Sequence, residues 1–281
     1  MAWSKVKFYW DMILGKGGNV LTASSTASGY NVANIHNRFE INAWKATASA
    51  GTHYILLDTG TGDVPTAVDY FIMGGHNLGT ANATIALQWS DDNSAFTNIF
   101  STQPLNDGVF LREFTELAHR YYRIVITGCT QAPEITHAWW GKKTELDYAS
   151  TGFDPYAEEV KASVNTSYAG YVTGIHTQYT ERSIDLKFDD CSETEGTRYL
   201  ADGTYTAGGS ITAIGATITP LYEKIKRWWD YNGLKNFYVA WERTNSPDDI
   251  YLTRSDTKFS NPLKAGGAYR DIAISLTGRK A

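Results

Sequence analysis

Cysteine is nearly absent. The chain of 281 residues has 2, Cys129 and Cys191, far apart and with no CxxC or Cys/His partner at metal-ligand spacing, so neither a disulfide framework nor a zinc site is implied. Proline (7) and methionine (3) are scarce as well. A long apolar run is missing: MAWSKVKFYWDMILGKGG interleaves Lys5 and Lys7 with aromatics, and the apolar stretch from Met12 to Leu14 is too short for a signal-peptide core or a membrane span. The expectation is synthesis in the cytoplasm, outside the general secretory route, with no membrane insertion. Positive charge is not in excess either. A formal net charge of -5 and a pI of about 5.7 argue against a nucleic-acid module, which advertises itself with clustered Lys and Arg on one face.

The short motifs of catalysis and ligand binding are missing too. None of His36, His53, His76, His119, His137 and His176 has an HExxH or comparable partner, and no GxSxG elbow nominates a nucleophile. GGHNLGT, from Gly74 to Thr80, is glycine-rich but lacks the Lys-Ser/Thr of a phosphate loop, and a strand pattern follows it where a helix N-terminus would be needed. SDDNSAF lacks the spacing of a calcium loop, and its Asp and Asn residues are those that bond nearby amides in turns. Glu134, Glu181 and Asp185 are the carboxylates one would test for glycoside hydrolysis, but nothing in the sequence pairs them, and they read as solvated. The expectation is therefore a protein that is not an enzyme, with no catalytic residues, no metal and no cofactor.

What is present is aromatic and alternating. With 9 Trp, 18 Tyr and 11 Phe the composition suits sheet surfaces and interfaces. Period-two patterns recur in HYILLD, VDYFIMG, ATIALQW, YYRIVITG and EITHAWWG, each bounded by turn residues. His137 alternates with Ile135 and Trp139 and reads as an inward histidine, and Trp89 and Trp139 fall on core positions. A composition shift at ELDYASTGFDPYAEEVKA puts a domain boundary near residue 148. After it, RSIDLKFDD, FYVAWE, DIYLTRS and YRDIAISLTG read as strands. ITPLYEKIKRWWDYNG predicts the one helix, near 220–232, with Leu221, Ile225, Trp228 and Trp229 on one face, Thr219 before Pro220 at its start and Gly233 as its C-terminal cap. The fold class is mainly all-β: a sandwich over 1–148 and a β-rich domain with one helix over 149–281.

The order LTASSTASGYNVANI, NAWKA, HYILLDTG, GGHNLG, IALQWSDDNSAF, RYYRIVITG and EITHAWWGKK resembles a discoidin-type, galactose-binding-like β-sandwich over residues 18 to 143. The second half, with TSYAGYVTGIHTQYTERSIDLKF, KRWWDYNGLKNFYVAWERTNSPDDIYLTR and YRDIAISLTG, resembles the hub region of distal-tail or tail-tip proteins of tailed bacteriophages. The resemblance implies a virion structural protein assembled in the host cytoplasm: a ring, of six copies or of three, connecting the tail tube to the tip or baseplate. DNA would pass along its axis without specific binding. Trp228, Trp229 and Trp241 are the expected subunit-interface residues.

Two other readings stand beside it. The first domain can be a carbohydrate- or receptor-binding module for a host surface glycan, with Trp44, expected to stand in a loop, and His76 and Asn77 as its candidate residues. A polysaccharide depolymerase is the third, though its usual long repetitive scaffold is not seen in this sequence.

Overall fold

The structure is a computed structural model that describes residues 4–60, 67–148, 154–192, 211–213, 216–218, 221–255, 258–264 and 269–280. In chain order its strands are β1 (Lys7–Met12), β2 (Val20–Ala23), β3 (Trp44–Lys45), β4 (His53–Asp58), β5 (Val68–His76), β6 (Thr84–Ser90), β7 (Thr97–Thr102), β8 (Phe110–Leu117), β9 (Tyr121–Thr127) and β10 (Glu134–Glu145). There follow β11 (Glu158–Thr166), β12 (Val172–Ser192), β13 (Ile211–Ala213), β14 (Ala216–Ile218), helix α1 (Leu221–Asn232), β15 (Phe237–Ala240), β16 (Ile250–Ser255), β17 (Leu263–Lys264) and β18 (Tyr269–Lys280). A short 3-10 turn, Val32–His36, precedes β3. The fold is all-β, with α1 the one α-helix among the described residues.

The chain divides into two compact units, Tyr9–Thr144 and a second made of Met1–Phe8 with Glu145–Lys280. The sequence places the boundary near residue 148 and the N-terminal residues with the sandwich. In the structure residues 4–8 belong to the second unit, where Phe8 is fully buried with its ring centroid 5.1 Å from those of Trp228 and Phe237. A single aromatic near a chain end carries no signal of its distant partner, so spacing could not reveal this.

Tyr9–Thr144 is an antiparallel sandwich. One sheet has the order β2-β4-β9-β6-β7, and the other runs β10-β5-β8 with β1 and β3 beside β10. Alternation decides what lies between them: Ile55, Leu57, Ile85, Leu87, Tyr122, Ile124 and Ile126 from one sheet meet Val68, Phe71, Met73, Ile135 and Trp140 from the other, all fully buried. Gly141 sits where strands crowd, since a Cβ there would lie 2.0 Å from the Asp11 carbonyl oxygen.

In the second unit the order β11-β12-β18-β16-β15 is antiparallel throughout. Ile184, Leu186 and Phe188 alternate inward opposite Leu276, Ile274 and Ile272. Helix α1 begins at Leu221 and buries Ile225 and Trp228, and Gly233 closes it with φ +55° and its N–H on the Trp229 carbonyl. The expected start signals Thr219 and Pro220 lie outside the described residues.

Candidate functional site

Trp44, His76 and Asn77 come together at one end of the sandwich, but each is committed to the fold. Trp44 does not stand in a loop: it lies in β3 opposite Ile135, is 0% exposed and donates its indole N–H to the Ser25 carbonyl at 3.1 Å. The pairing of β3 with β10 turns the ring inward, a contact that the irregular local sequence NAWKATASAGTH does not announce. His76 is buried and accepts the Leu78 N–H at Nδ1 (3.2 Å), and burial pushes its pKa below the ordinary 6.5. Asn77 clamps the connection into β10, donating to the Ala132 carbonyl (3.0 Å) and accepting the Glu134 N–H (2.8 Å). Glu134 itself is paired with Lys45 at 2.9 Å.

SDDNSAF is a turn, as its composition indicates. Asp92 Oδ1 accepts the amides of Ser94 (2.8 Å) and Ala95 (3.0 Å), and Asn93 takes φ +59°. Hydrogen bonds from the Ser94 hydroxyl and amide, with the Ser90 hydroxyl and the Ala95 amide, hold the Asp92 carboxyl well below the usual range. Next to it Trp89 closes the end of the core, with the His119 ring stacked on it at 3.5 Å and 10°. His119 Nδ1 lies 3.0 Å from Asp91 Oδ1. The sequence gives Trp89 and Asp91 separately; nothing local shows that His119 joins them across the β8–β9 connection.

The outer face of the five-stranded sheet carries a second polar group that sequence reading misses. The Nε and Nη2 of Arg123 both donate to Gln88 Oε1 (3.0 and 2.6 Å), and Gln88 Nε2 donates to Asn98 Oδ1 at 2.8 Å. The guanidinium lies 3.7 Å from the centroid of Phe96. Tyr54, 39% exposed, stands on the same face, while Asp58 is taken by Arg120 at 2.9 and 3.0 Å. The available signal was the outward half of three strands already recognised by their inward half.

In the second unit Trp228 is not at the surface but at the centre, fully buried against Phe8 and Phe237, because it shares the buried stripe of α1 with Ile225. Trp229 is half-buried and stacks on Phe259 at 5.3 Å, and Trp241 is half-buried, edge-on to Tyr156 at 6.0 Å. Of the two carboxylates here, Glu181 is held by Lys161 (3.4 Å) and Arg254 (3.6 Å), and Asp185 is exposed.

A large exposed apolar surface lies in β11, the first half of β12 and the turn between them. Val160, Val164, Tyr168, Tyr171, Val172, Ile175 and Tyr179 are each more than half exposed. Register pairs Val164 with Ile175 and Ala162 with Thr177, so these residues share one face with Val160. From Ala162 to Thr180 there is no Asp, Glu, Lys or Arg. Pairing of β12 with β18 starts only at Arg182, so the part before it has β11 as its one partner among the described strands.

Among the described residues no group of three or more His, Cys, Asp and Glu could hold a metal ion, and no helix is long and apolar enough to cross a membrane. No protein-family model matches the chain, and no curated protein does. Some solved structures are similar over about half of it. A Ruminococcus gnavus GH29 fucosidase in complex with fucose is 17% identical with a TM-score of 0.41, over 48% of this chain and 27% of that one. Chitosan-binding module 1 of a chitosanase/glucanase from Paenibacillus sp. IK-5 is 15% identical with a TM-score of 0.39, over 44% and 96%. The Clostridium perfringens module CpGH89CBM32-5, in complex with GalNAc-beta-1,3-galactose, is 14% identical with a TM-score of 0.39, over 46% and 99%. The matched part thus spans about a quarter of the fucosidase's length.

Proposed function

We propose that this chain is a structural subunit, not an enzyme, that assembles with copies of itself through the β11–β12 ribbon. In the fuller form of this reading it is a distal-tail-like component of a phage tail tip, a ring of six or three copies between the tail tube and the tip or baseplate. The observation that carries self-assembly is the ribbon. A two-stranded ribbon is at best marginally stable in water, and natural edge strands are guarded by charge. This one is apolar on one face and uncharged from Ala162 to Thr180, so a second copy meets it with no like-charge repulsion. The placement in a phage tail rests on the resemblance of the hub-like segments alone. The net charge of -5 accords with a passage that does not hold DNA. Native mass spectrometry and negative-stain imaging of the purified protein test the proposal: a closed oligomer is expected, and a chain monomeric at micromolar concentration overturns it.

A second reading, carbohydrate recognition by the sandwich, is favoured by the polar and aromatic outer face around Arg123. Trp44, His76 and Asn77 are engaged within the fold and do not offer their side chains to a sugar. A glycan array probed with the purified protein tests this reading, and the absence of binding to any glycan would remove it.

A further inference from the structure

We infer that the outer face of the β2-β4-β9-β6-β7 sheet binds a carboxylate-bearing glycan, with Arg123 clasping the sugar carboxylate and Tyr54 lying against the ring. The inference rests on the carbohydrate reading and gives it a place and a ligand class.

A guanidinium has two donor edges suited to a planar acceptor. On Arg123 the Nε/Nη2 edge is filled by Gln88, which leaves the terminal Nη1/Nη2 edge. No described carboxylate forms an ion pair with it, and Asp58, on the same face, is already bidentate with Arg120. Gln88 and Phe96 hold the group in one orientation, so little further side-chain freedom is lost when a ligand arrives. A carboxylate can therefore form two parallel charge-assisted hydrogen bonds there.

The surroundings choose a sugar over a peptide. The register places Leu56 opposite Arg123 and Tyr54 opposite Val125, so Tyr54 is one pleat along on the same face, where its ring can cover the apolar side of a pyranose. Asn98 is exposed beside the amide of Gln88 and can serve sugar hydroxyls. Strands β4, β9 and β6 each have a neighbour on both sides, so an extended peptide finds no free strand edge at this point.

The test is titration calorimetry of the full chain with trigalacturonate, with neutral maltotriose and a hexaglutamate peptide as comparators. Binding of trigalacturonate is expected, weakening as salt rises, with maltotriose much weaker. Loss of a fork-held charge should weaken it about tenfold or more in Arg123→Gln, with Arg123→Lys in between. Tyr54→Ala, an exposed position, should weaken it by roughly threefold or more without loss of folding. Equal binding of maltotriose, preferred binding of hexaglutamate, or affinity unchanged in Arg123→Gln and Tyr54→Ala overturns the inference. If other glycans bind on the array and trigalacturonate does not, the inference fails while the carbohydrate reading stands.

Discussion

A carboxylate shut away from water must find donors, and Glu242 finds four. The Ser4 amide (3.0 Å), the Ser4 hydroxyl (2.5 Å), the Thr244 amide (2.6 Å) and the Asn245 side chain (2.8 Å) all reach it, and the residue is 0% exposed. Burial alone would raise its pKa; the hydrogen bonds outweigh burial and bring it from the ordinary 4.5 to about 2. A depressed carboxyl pKa gives stability that is full above pH 4.5 and lost as pH falls from there toward 2. Glu242→Gln is therefore expected to be less stable than the wild type at pH 7 and to lose less stability between pH 4.5 and 2. Urea melts across that range check it, and parallel curves for the two proteins would refute it. Trp44→Ala, with a fully buried ring removed, should cost about 3–5 kcal/mol in the same melts. A Trp44 exposed to sugar would cost far less. Trp44 was not legible as core, because what buries it is a two-residue strand paired across 91 positions of sequence, Trp44 to Ile135.

At the scale of elements, what was legible is what is periodic. HYILLD, ATIALQW and YYRIVITG became β4, β6 and β9 with their alternate residues buried, and α1 starts and ends beside the predicted bounds of 220 and 232. RSIDLKFDD marked the second half of β12, but β11 and the first half of β12 were not read as strands, because most of their residues are exposed on both sides and an apolar/polar alternation marks only a half-buried strand. The signal this ribbon does carry is the turn SYAG, where Gly170 has φ +81°, between two stretches rich in Thr, Val and Tyr. Its paired Val164 and Ile175 give the assembly proposal its sharpest prediction. Ile175→Asp puts a charge into the apolar face at an exposed position, so the subunit should fold with unchanged circular dichroism and appear as a monomer by native mass spectrometry. An oligomer unaffected by Ile175→Asp would place the contact elsewhere.

For the whole molecule the main feature is an order of chain that composition does not reveal. The second unit takes its first residues from the N-terminus and the rest from beyond Glu145, with the sandwich sequence between them. Phe8→Ala should accordingly lower the stability of the helix-bearing unit by about 3–5 kcal/mol. Fluorescence of the Trp228 cluster, which Phe8 touches, would follow that loss, and an unchanged melting midpoint would contradict it. The points where the chain leaves and re-enters the second unit are tied together there: the Leu146 N–H bonds the Val6 carbonyl at 2.8 Å, and Lys5 pairs with Asp147 at 2.8 Å. A gap closed so tightly can carry folded inserts of very different length, provided that the two ends of the insert lie close together, because closure depends on the separation of those ends and not on the residues between them. Recombination at this doorway could therefore exchange one sandwich for another in a single step, leaving the frame that receives it, and the ribbon it carries, unaltered.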